Sequence, residues 1–272
     1  MVANQGTLIA TRERAKGGVR VKTIALPAEH GGWGLLFEPI VLGLLLAPSI
    51  PGFYLALSAV GFFLARHPLT LVVLNRRRSS PRTALARRFA TLYLVIGAAS
   101  FIAALAFTQH SFVLPLLVAA PFAILQVAHD WTGRRRVLLS ELAGVIAVSS
   151  LVTAVALAAG WSQRAGFALW AVMIARSVPA VLYVRACLRR LKLSNVSPTP
   201  VVVAHLAAIG TAIALAGADV ISGWVAIAMV LLLVRAMIGF ARANTLTAKQ
   251  LGFSEIAFGA MTVIIVAGSK YF

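Results

Sequence analysis

The sequence has few charged residues for its length, and acidic residues are the rarest among them. Only 12% of the 272 residues are charged, with 7 Asp or Glu against 25 Lys or Arg. A soluble globular chain usually has about 25% charged residues. Together with 60% hydrophobic residues and a mean hydropathy of +0.92, this excludes an ordinary soluble domain. We therefore expect a membrane protein.

Cysteine and the common metal and nucleotide motifs are also scarce. The single cysteine, Cys187, cannot form an internal disulfide, and the chain contains no CxxC, HExxH or phosphate-binding glycine loop. The first 25 residues are polar and basic, so we expect no secretory signal peptide. No local motif therefore names a metal, nucleotide or redox activity.

Long apolar stretches dominate what remains. A membrane-spanning helix needs roughly 20 mostly apolar residues, and we predict nine of them in an all-α polytopic bundle. The first is interrupted by Glu38 and Pro39, which leaves open whether it spans fully. The predicted helices are 33–48, 52–73, 87–108, 112–129, 137–160, 166–187, 200–217, 221–240 and 252–270.

Between these stretches, junctions that carry basic residues alternate with junctions that carry few or none. The basic segments lie before Trp33 and at 76–88, 134–136, 185–192 and 235–249. The junctions near 51, 110 and 219 carry no Lys or Arg, and Arg164 is alone in its junction. Basic loops stay in the cytoplasm, so the pattern predicts a cytoplasmic N-terminus and an external C-terminus. We expect a basic cytoplasmic tail over 1–24 and one transmembrane domain over 25–272.

The formal net charge of +18 would suggest nucleic-acid binding in a soluble protein. Here the basic residues are divided among short loops rather than gathered on one helix or domain. We expect no nucleic-acid partner, and membrane lipids as the surroundings.

Arg66 and Arg176 lie well inside apolar stretches, where a charge costs about 2.5–3.5 kcal/mol on insertion scales. Arg66 is followed by His67 and Pro68, and Arg176 is followed three residues later by Pro179. We interpret each as a broken helix around a polar cavity. These two arginines are the strongest single candidates for a functional site.

The predicted cytoplasmic ends of the helices carry further polar groups. Gln126, His129 and Asp130 share one helical face at i, i+3 and i+4, and Glu141 opens the next helix. Arginine binds phosphate oxygens in a bidentate manner, and a carboxylate could hold Mg²⁺; the cofactor itself is not indicated. The candidate catalytic residues are His129, Asp130 and Glu141, and the candidate substrate-binding residues are Glu29, His30, Arg66, His67, Asn75, Arg76, Arg134, Arg176, Tyr183 and Arg185.

Each of these groups also has a structural interpretation. The arginines at 76–78 and 134–136 are typical topology signals. Asp130 and Glu141 could neutralise neighbouring arginines, and His30 and His129 could be hydrogen-bonded structural residues. The sequence leaves these alternatives open.

Several motifs together resemble the YwiC-like family of bacterial membrane proteins. They are Glu29-His30-Gly31-Gly32-Trp33-Gly34, Glu141-Leu142-Ala143-Gly144, Ala175-Arg176-Ser177-Val178-Pro179 and Tyr183-Val184-Arg185. The resemblance extends from about residue 25 to 245. It implies a multi-pass protein of the bacterial inner membrane, but it names no activity.

A weaker resemblance is to the UbiA superfamily of intramembrane prenyltransferases. Those proteins have nine helices, with polar motifs after the second and sixth on the cytoplasmic side. Asn75-Arg76-Arg77-Arg78 and the segment 176–185 occupy similar places, but the aspartates that hold Mg²⁺ in that family are missing. The resemblance then implies that arginines replace the metal, that acids elsewhere (Glu29, Asp130, Glu141, Glu255) supply it, or that the activity is changed.

The leading hypothesis is a membrane transferase for an amphipathic phosphorylated substrate, such as a lipid diphosphate. Arg66, Arg76, Arg176 and Arg185 would bind the diphosphate, and Asp130 or His129 would act as base or metal ligand. A transporter of an anionic metabolite or lipid, and a noncatalytic partner in a larger complex, are the alternatives.

Overall fold

The computed structural model describes residues 21–26, 30–76, 80–134, 137–192, 195–243 and 246–269. These residues form helices and contain no strand, so the predicted all-α class is confirmed. The predicted basic tail falls mostly outside the described residues, as do Glu29 and the arginines at 77, 78, 135 and 136.

Nine long helices follow a single helical turn at Lys22–Ala25 in the described part of the chain. They are α1 His30–Leu46, α2 Ile50–Leu74, α3 Pro81–Phe107, α4 Val113–Trp131, α5 Leu138–Ala158, α6 Gln163–Arg190, α7 Thr199–Gly217, α8 Trp224–Ala241 and α9 Ala248–Gly268. Of these, α2 to α9 are long and apolar enough to cross a membrane, whereas α1 is shorter. The nine predicted segments are each recovered.

Local side-chain caps explain several helix starts. The hydroxyl of Ser49 accepts a hydrogen bond from Gly52 N (3.1 Å), and that of Ser80 accepts one from Thr83 N (3.2 Å). Such caps satisfy amide groups that the first helical turn leaves unpaired. Because the cap at Ser80 precedes Pro81, α3 begins six residues before the predicted start. Its first turn therefore includes Arg82, which the hydrophobicity pattern assigned to a loop.

The helices at Arg66 and Arg176 are continuous, which corrects the expectation of broken helices. Helix α2 runs through Pro68, and α6 runs through Pro179. A proline removes one backbone hydrogen bond, while a full break would expose many backbone groups to lipid. Keeping the helix intact is therefore the less costly arrangement.

Helices α5 and α6 form the centre of the bundle. In each of them, more than 60% of an apolar 18-residue stretch is buried inside the protein, against a third or less in the other candidate spans. Helices α1 and α9 pack beside them, whereas α3 lies at the periphery and packs mainly against α2. Polar groups in the middle of α5 and α6, such as Thr153 and Arg176, are thus shielded by protein, whereas the outer face of α3 is not.

Contacts between loops join ends that the charge pattern assigns to the outer face. The Thr108 hydroxyl, after α3, donates to Ala158 O at the end of α5 (3.1 Å). The Arg164 guanidinium, at the start of α6, donates to Ala218 O after α7 (2.7 Å). The helices therefore alternate in direction, as the alternation of basic and uncharged junctions predicts.

Candidate functional site

The first polar cluster lies inside the bundle around Arg176, which is only 1% exposed. Its Nη2 donates to Glu38 Oε1 at 3.1 Å and to the backbone oxygen of Glu255 at 3.1 Å. Its Nη1 lies 3.5 Å from Glu255 Oε2. Arg235 pairs with the other carboxylate oxygen of Glu255. We call Glu38, Arg176, Arg235 and Glu255 the core network.

Aromatic rings and a glycine shape this network. The Arg235 guanidinium carbon lies 4.1 Å from the Tyr183 ring centroid and 5.0 Å from that of Phe258, distances typical of cation–π contacts. A Cβ built on Gly259 would overlap the Glu38 carboxylate, so only glycine leaves room for this pair. The two arginines and two glutamates balance in formal charge, which offsets the cost of burying them.

Helix geometry places the core network about two turns below the predicted cytoplasmic surface. At 1.5 Å per residue, Glu38 lies roughly 12 Å from the start of α1 and Glu255 roughly 10 Å from the start of α9. Arg235 lies roughly 9 Å from the end of α8. These three depths match and agree with the alternating helix directions, whereas Arg176 lies roughly 21 Å from the end of the longer α6.

The second cluster lies nearer the predicted cytoplasmic ends of α2, α4, α5 and α6. Arg66 binds the buried Asp130 through two hydrogen bonds, one of them Nη2 to Oδ1 at 3.0 Å. Arg185 Nη1 donates to Glu141 Oε2 at 2.8 Å. Because α4 and α5 pack together, the two ion pairs flank the join between these helices. We call Arg66, Gln126, Asp130, Glu141 and Arg185 the cytoplasmic seam.

A close contact between α4 and α5 holds the middle of the seam. A Cβ added to Gly144 would overlap the Gln126 amide, so the glycine of the 141–144 motif makes space for this side chain. Beside it, His129 Nδ1 lies 2.9 Å from Leu125 O. A carbonyl oxygen only accepts, so Nδ1 is the donor in this contact, which leaves Nε2 as the other ring nitrogen.

The structure brings together some of the predicted site residues and separates others. Arg66 pairs with Asp130 and Arg185 pairs with Glu141, so both acids neutralise an arginine, as the structural interpretation also allows. Arg176 lies nine residues before Arg185, or about 13 Å deeper along α6, and belongs to the core network. Tyr183 lies beside the core network, with its ring under the Arg235 guanidinium.

The remaining predicted residues have peripheral or local positions. His67 Nε2 donates to Thr23 O (3.1 Å), and Asn75 Nδ2 donates to Leu71 O (2.9 Å). Arg76 and Arg134 are exposed near the ends of α2 and α4. His30 begins α1, but its side chain, like all of Glu29, lies outside the described part of the structure.

Glu38, Arg235 and Glu255 complete the core network but were not among the predicted substrate-binding or catalytic residues. The available signal was the presence of charged side chains inside apolar stretches. Their partnership was hidden because the hydrogen-bonded Arg176 and Glu38 are 138 residues apart in sequence.

The described residues fit the implied Mg²⁺ site poorly. They contain no group of three or more His, Cys, Asp or Glu side chains placed to hold a metal ion. The carboxylates of Glu38, Asp130, Glu141 and Glu255 are each engaged by arginine instead.

The helices and buried charges define a polytopic helical membrane protein. Residues 26–156 match the family model described as YwiC-like protein, which confirms the predicted resemblance over slightly less than half of the chain. The match includes Arg66, Asp130 and Glu141 but ends before α6, so the similar motifs at 175–185 lie outside it. No curated protein and no solved structure matches the chain.

Proposed function

We propose that the protein is an integral membrane transferase that binds an amphipathic phosphorylated substrate, such as a lipid diphosphate, at the cytoplasmic seam. The proposal rests on one observation: the two ion pairs, Arg66–Asp130 and Arg185–Glu141, lie on either side of the contact between α4 and α5. Each arginine is only partly buried, with 30% of the Arg66 side chain and 22% of the Arg185 side chain exposed. Both are therefore within reach of a headgroup at the membrane surface.

Substrate binding would exchange one anion for another at these arginines. A phosphate accepts bidentate hydrogen bonds from guanidinium as a carboxylate does. A diphosphate that displaces Asp130 and Glu141 leaves two carboxylates beside the bound headgroup, while its apolar tail lies against the helices. Arg66 and Arg185 would then stabilise the charge that builds on the departing diphosphate.

The freed acids and His129 supply the general base. The acceptor nucleophile attacks the carbon bonded to the diphosphate oxygen, forming a new bond as that carbon–oxygen bond breaks. The acceptor's proton passes to Asp130 or to His129 Nε2, and the diphosphate leaves with the bonding electron pair. Proton transfer of this kind typically contributes about 10²–10⁴ to a rate.

The test is binding of a fluorescent polyprenyl diphosphate to the purified protein in detergent, with the corresponding polyprenol as the uncharged comparison. Arg66→Gln/Arg185→Gln should weaken diphosphate binding by at least about 10-fold, because two charge-assisted contacts are lost. The matched control, Arg82→Gln/Arg189→Gln, removes two exposed arginines outside the seam and should bind as wild type. Equal binding of diphosphate and polyprenol, or equal losses in both double variants, would overturn the proposal.

Transport of an anionic metabolite or lipid is the second candidate function, and the core network favours it. Charged residues buried within a membrane often mark ion or substrate pathways. Anion uptake into proteoliposomes, lost in Arg176→Met but retained in the seam double variant, would support transport in place of transfer.

A further inference from the structure

We propose that the outer face of α3 binds an anionic phospholipid of the cytoplasmic leaflet. The lipid would lie in a surface groove of about 660 Å³, which is lined by Ala84, Arg87, Arg88, Thr91, Leu92 and Val95. Their spacing of three and four residues places them on one face of the helix. We call this set the α3 stripe. It is separate from the seam and independent of the proposed function.

The stripe faces away from the protein. The buried residues of α3 include Ala86, Ala90 and Gly97, which lie on the side packed against α2. In contrast, all six stripe residues are exposed, Leu92 and Val95 by more than half. In a membrane this face meets lipid, so its chemistry selects among lipids.

The two stripe arginines differ from those of the seam and core network. Arg66, Arg176, Arg185 and Arg235 are each paired with a carboxylate. Neither Arg87 nor Arg88 forms an ion pair or hydrogen bond with another residue in the described part of the chain. Their donors face outward and are unsatisfied by this part of the protein.

The order of groups along α3 matches the order of groups in a phospholipid. Arg87 and Arg88 lie two turns from the predicted cytoplasmic start of the helix, roughly 10 Å along its axis. One turn deeper, the Thr91 hydroxyl can donate to an ester carbonyl, and Leu92 and Val95 follow with apolar surface for an acyl chain. The arginines would therefore lie beside the phosphate of the lipid, the Thr91 hydroxyl beside its ester, and the apolar side chains beside its acyl chain.

Charge complementarity also excludes a second copy of the chain on this face. A symmetric dimer formed through the stripe would place each arginine pair beside its counterpart, and like charges in a low-dielectric setting repel. An anionic lipid instead neutralises the pair. Basic groups near the cytoplasmic surface favour the binding of anionic lipids.

The experiment is a native mass spectrometry titration of the purified protein with phosphatidylglycerol and with phosphatidylcholine. Wild type should retain phosphatidylglycerol preferentially. Arg87→Gln/Arg88→Gln should reduce that preference by roughly 10- to 30-fold, as the loss of two basic contacts implies. Arg82 lies on the opposite side of α3 and Arg189 on α6, so Arg82→Gln/Arg189→Gln is the matched control and should keep the preference.

Two further measurements make the result decisive. The stripe variant should have an unchanged thermal unfolding midpoint, because its arginines face outward, and it should bind polyprenyl diphosphate as wild type does. A stripe variant that keeps the lipid preference, or a control variant that loses it equally, would overturn the proposal. Competition by soluble glycerol phosphate at matched concentration would also overturn it, since it would indicate a site for a free anion.

Discussion

Arg176 brings a positive charge into the middle of a hydrophobic bundle, and its neighbours determine what that costs. The side chain is 1% exposed and contacts the carboxylates of Glu38 and Glu255. Glu255 is shared with Arg235, so each charge has an opposite charge beside it. Removing one partner therefore leaves a buried net charge, whereas removing a balanced pair does not.

This charge balance predicts the outcome of single and double substitutions. Arg176→Met should lower the free energy of unfolding by about 3–5 kcal/mol, because it leaves an uncompensated carboxylate. Arg176→Met/Glu38→Met should be less destabilised than Arg176→Met alone, since Glu255 and Arg235 still neutralise each other. Unfolding in detergent, followed by thermal shift, measures both. A double variant that is destabilised as much as Arg176→Met, or more, would contradict the argument.

At the scale of helices, small residues determine how closely elements approach. Gly61 on α2 faces the backbone of α3: a Cβ there would lie 2.8 Å from Gly97 N and 2.9 Å from Gly97 Cα. Membrane helices often pack through such small residues, because dispersion contacts replace the hydrophobic driving force. Since α3 packs mainly against α2, this crossing holds α3 in the molecule.

Gly61→Ala should therefore weaken the attachment of α3. The new methyl group meets backbone rather than a flexible side chain, so relief requires the helices to separate, at a cost of about 1–3 kcal/mol. Gly210→Ala on α7 is the control: its Cβ meets nothing within 4 Å, and alanine favours a helix over glycine by about 0.5–1 kcal/mol. Hydrogen exchange should increase in α3 for Gly61→Ala alone. Unchanged protection of α3 would show that this crossing does not anchor it.

At the scale of the whole molecule, hydrophobicity and charge predicted the helices but not their partners. Every predicted segment corresponds to a helix, because lipid requires internally hydrogen-bonded backbone and leaves little alternative. The start of α3 was misplaced because a cap at Ser80 outweighs the charges of the following turns. The seam pairs were partly predictable, since Asp130 and Glu141 flank one short loop. The core network joins α1 and α6 to the consecutive helices α8 and α9, and no local pattern specifies which charged residues meet.

The direction in which the whole chain crosses the membrane gives the broadest test. The seam and α3 stripe proposals both require their residues to lie on the cytoplasmic side, as the positive-inside pattern predicts. Alkaline phosphatase fused after Gln109, Gly160 or Asp219 should be active, because these junctions lie outside. The same reporter fused after Arg134 or Leu191 should be inactive, while a fluorescent protein there should mature. The contacts of Thr108 with Ala158 and of Arg164 with Ala218 require the three external fusions to agree with one another. If the phosphatase were active after Arg134 and inactive after Gly160, the chain would cross the membrane in the opposite direction. Both anion sites would then lie on the external surface, and both proposals would be wrong.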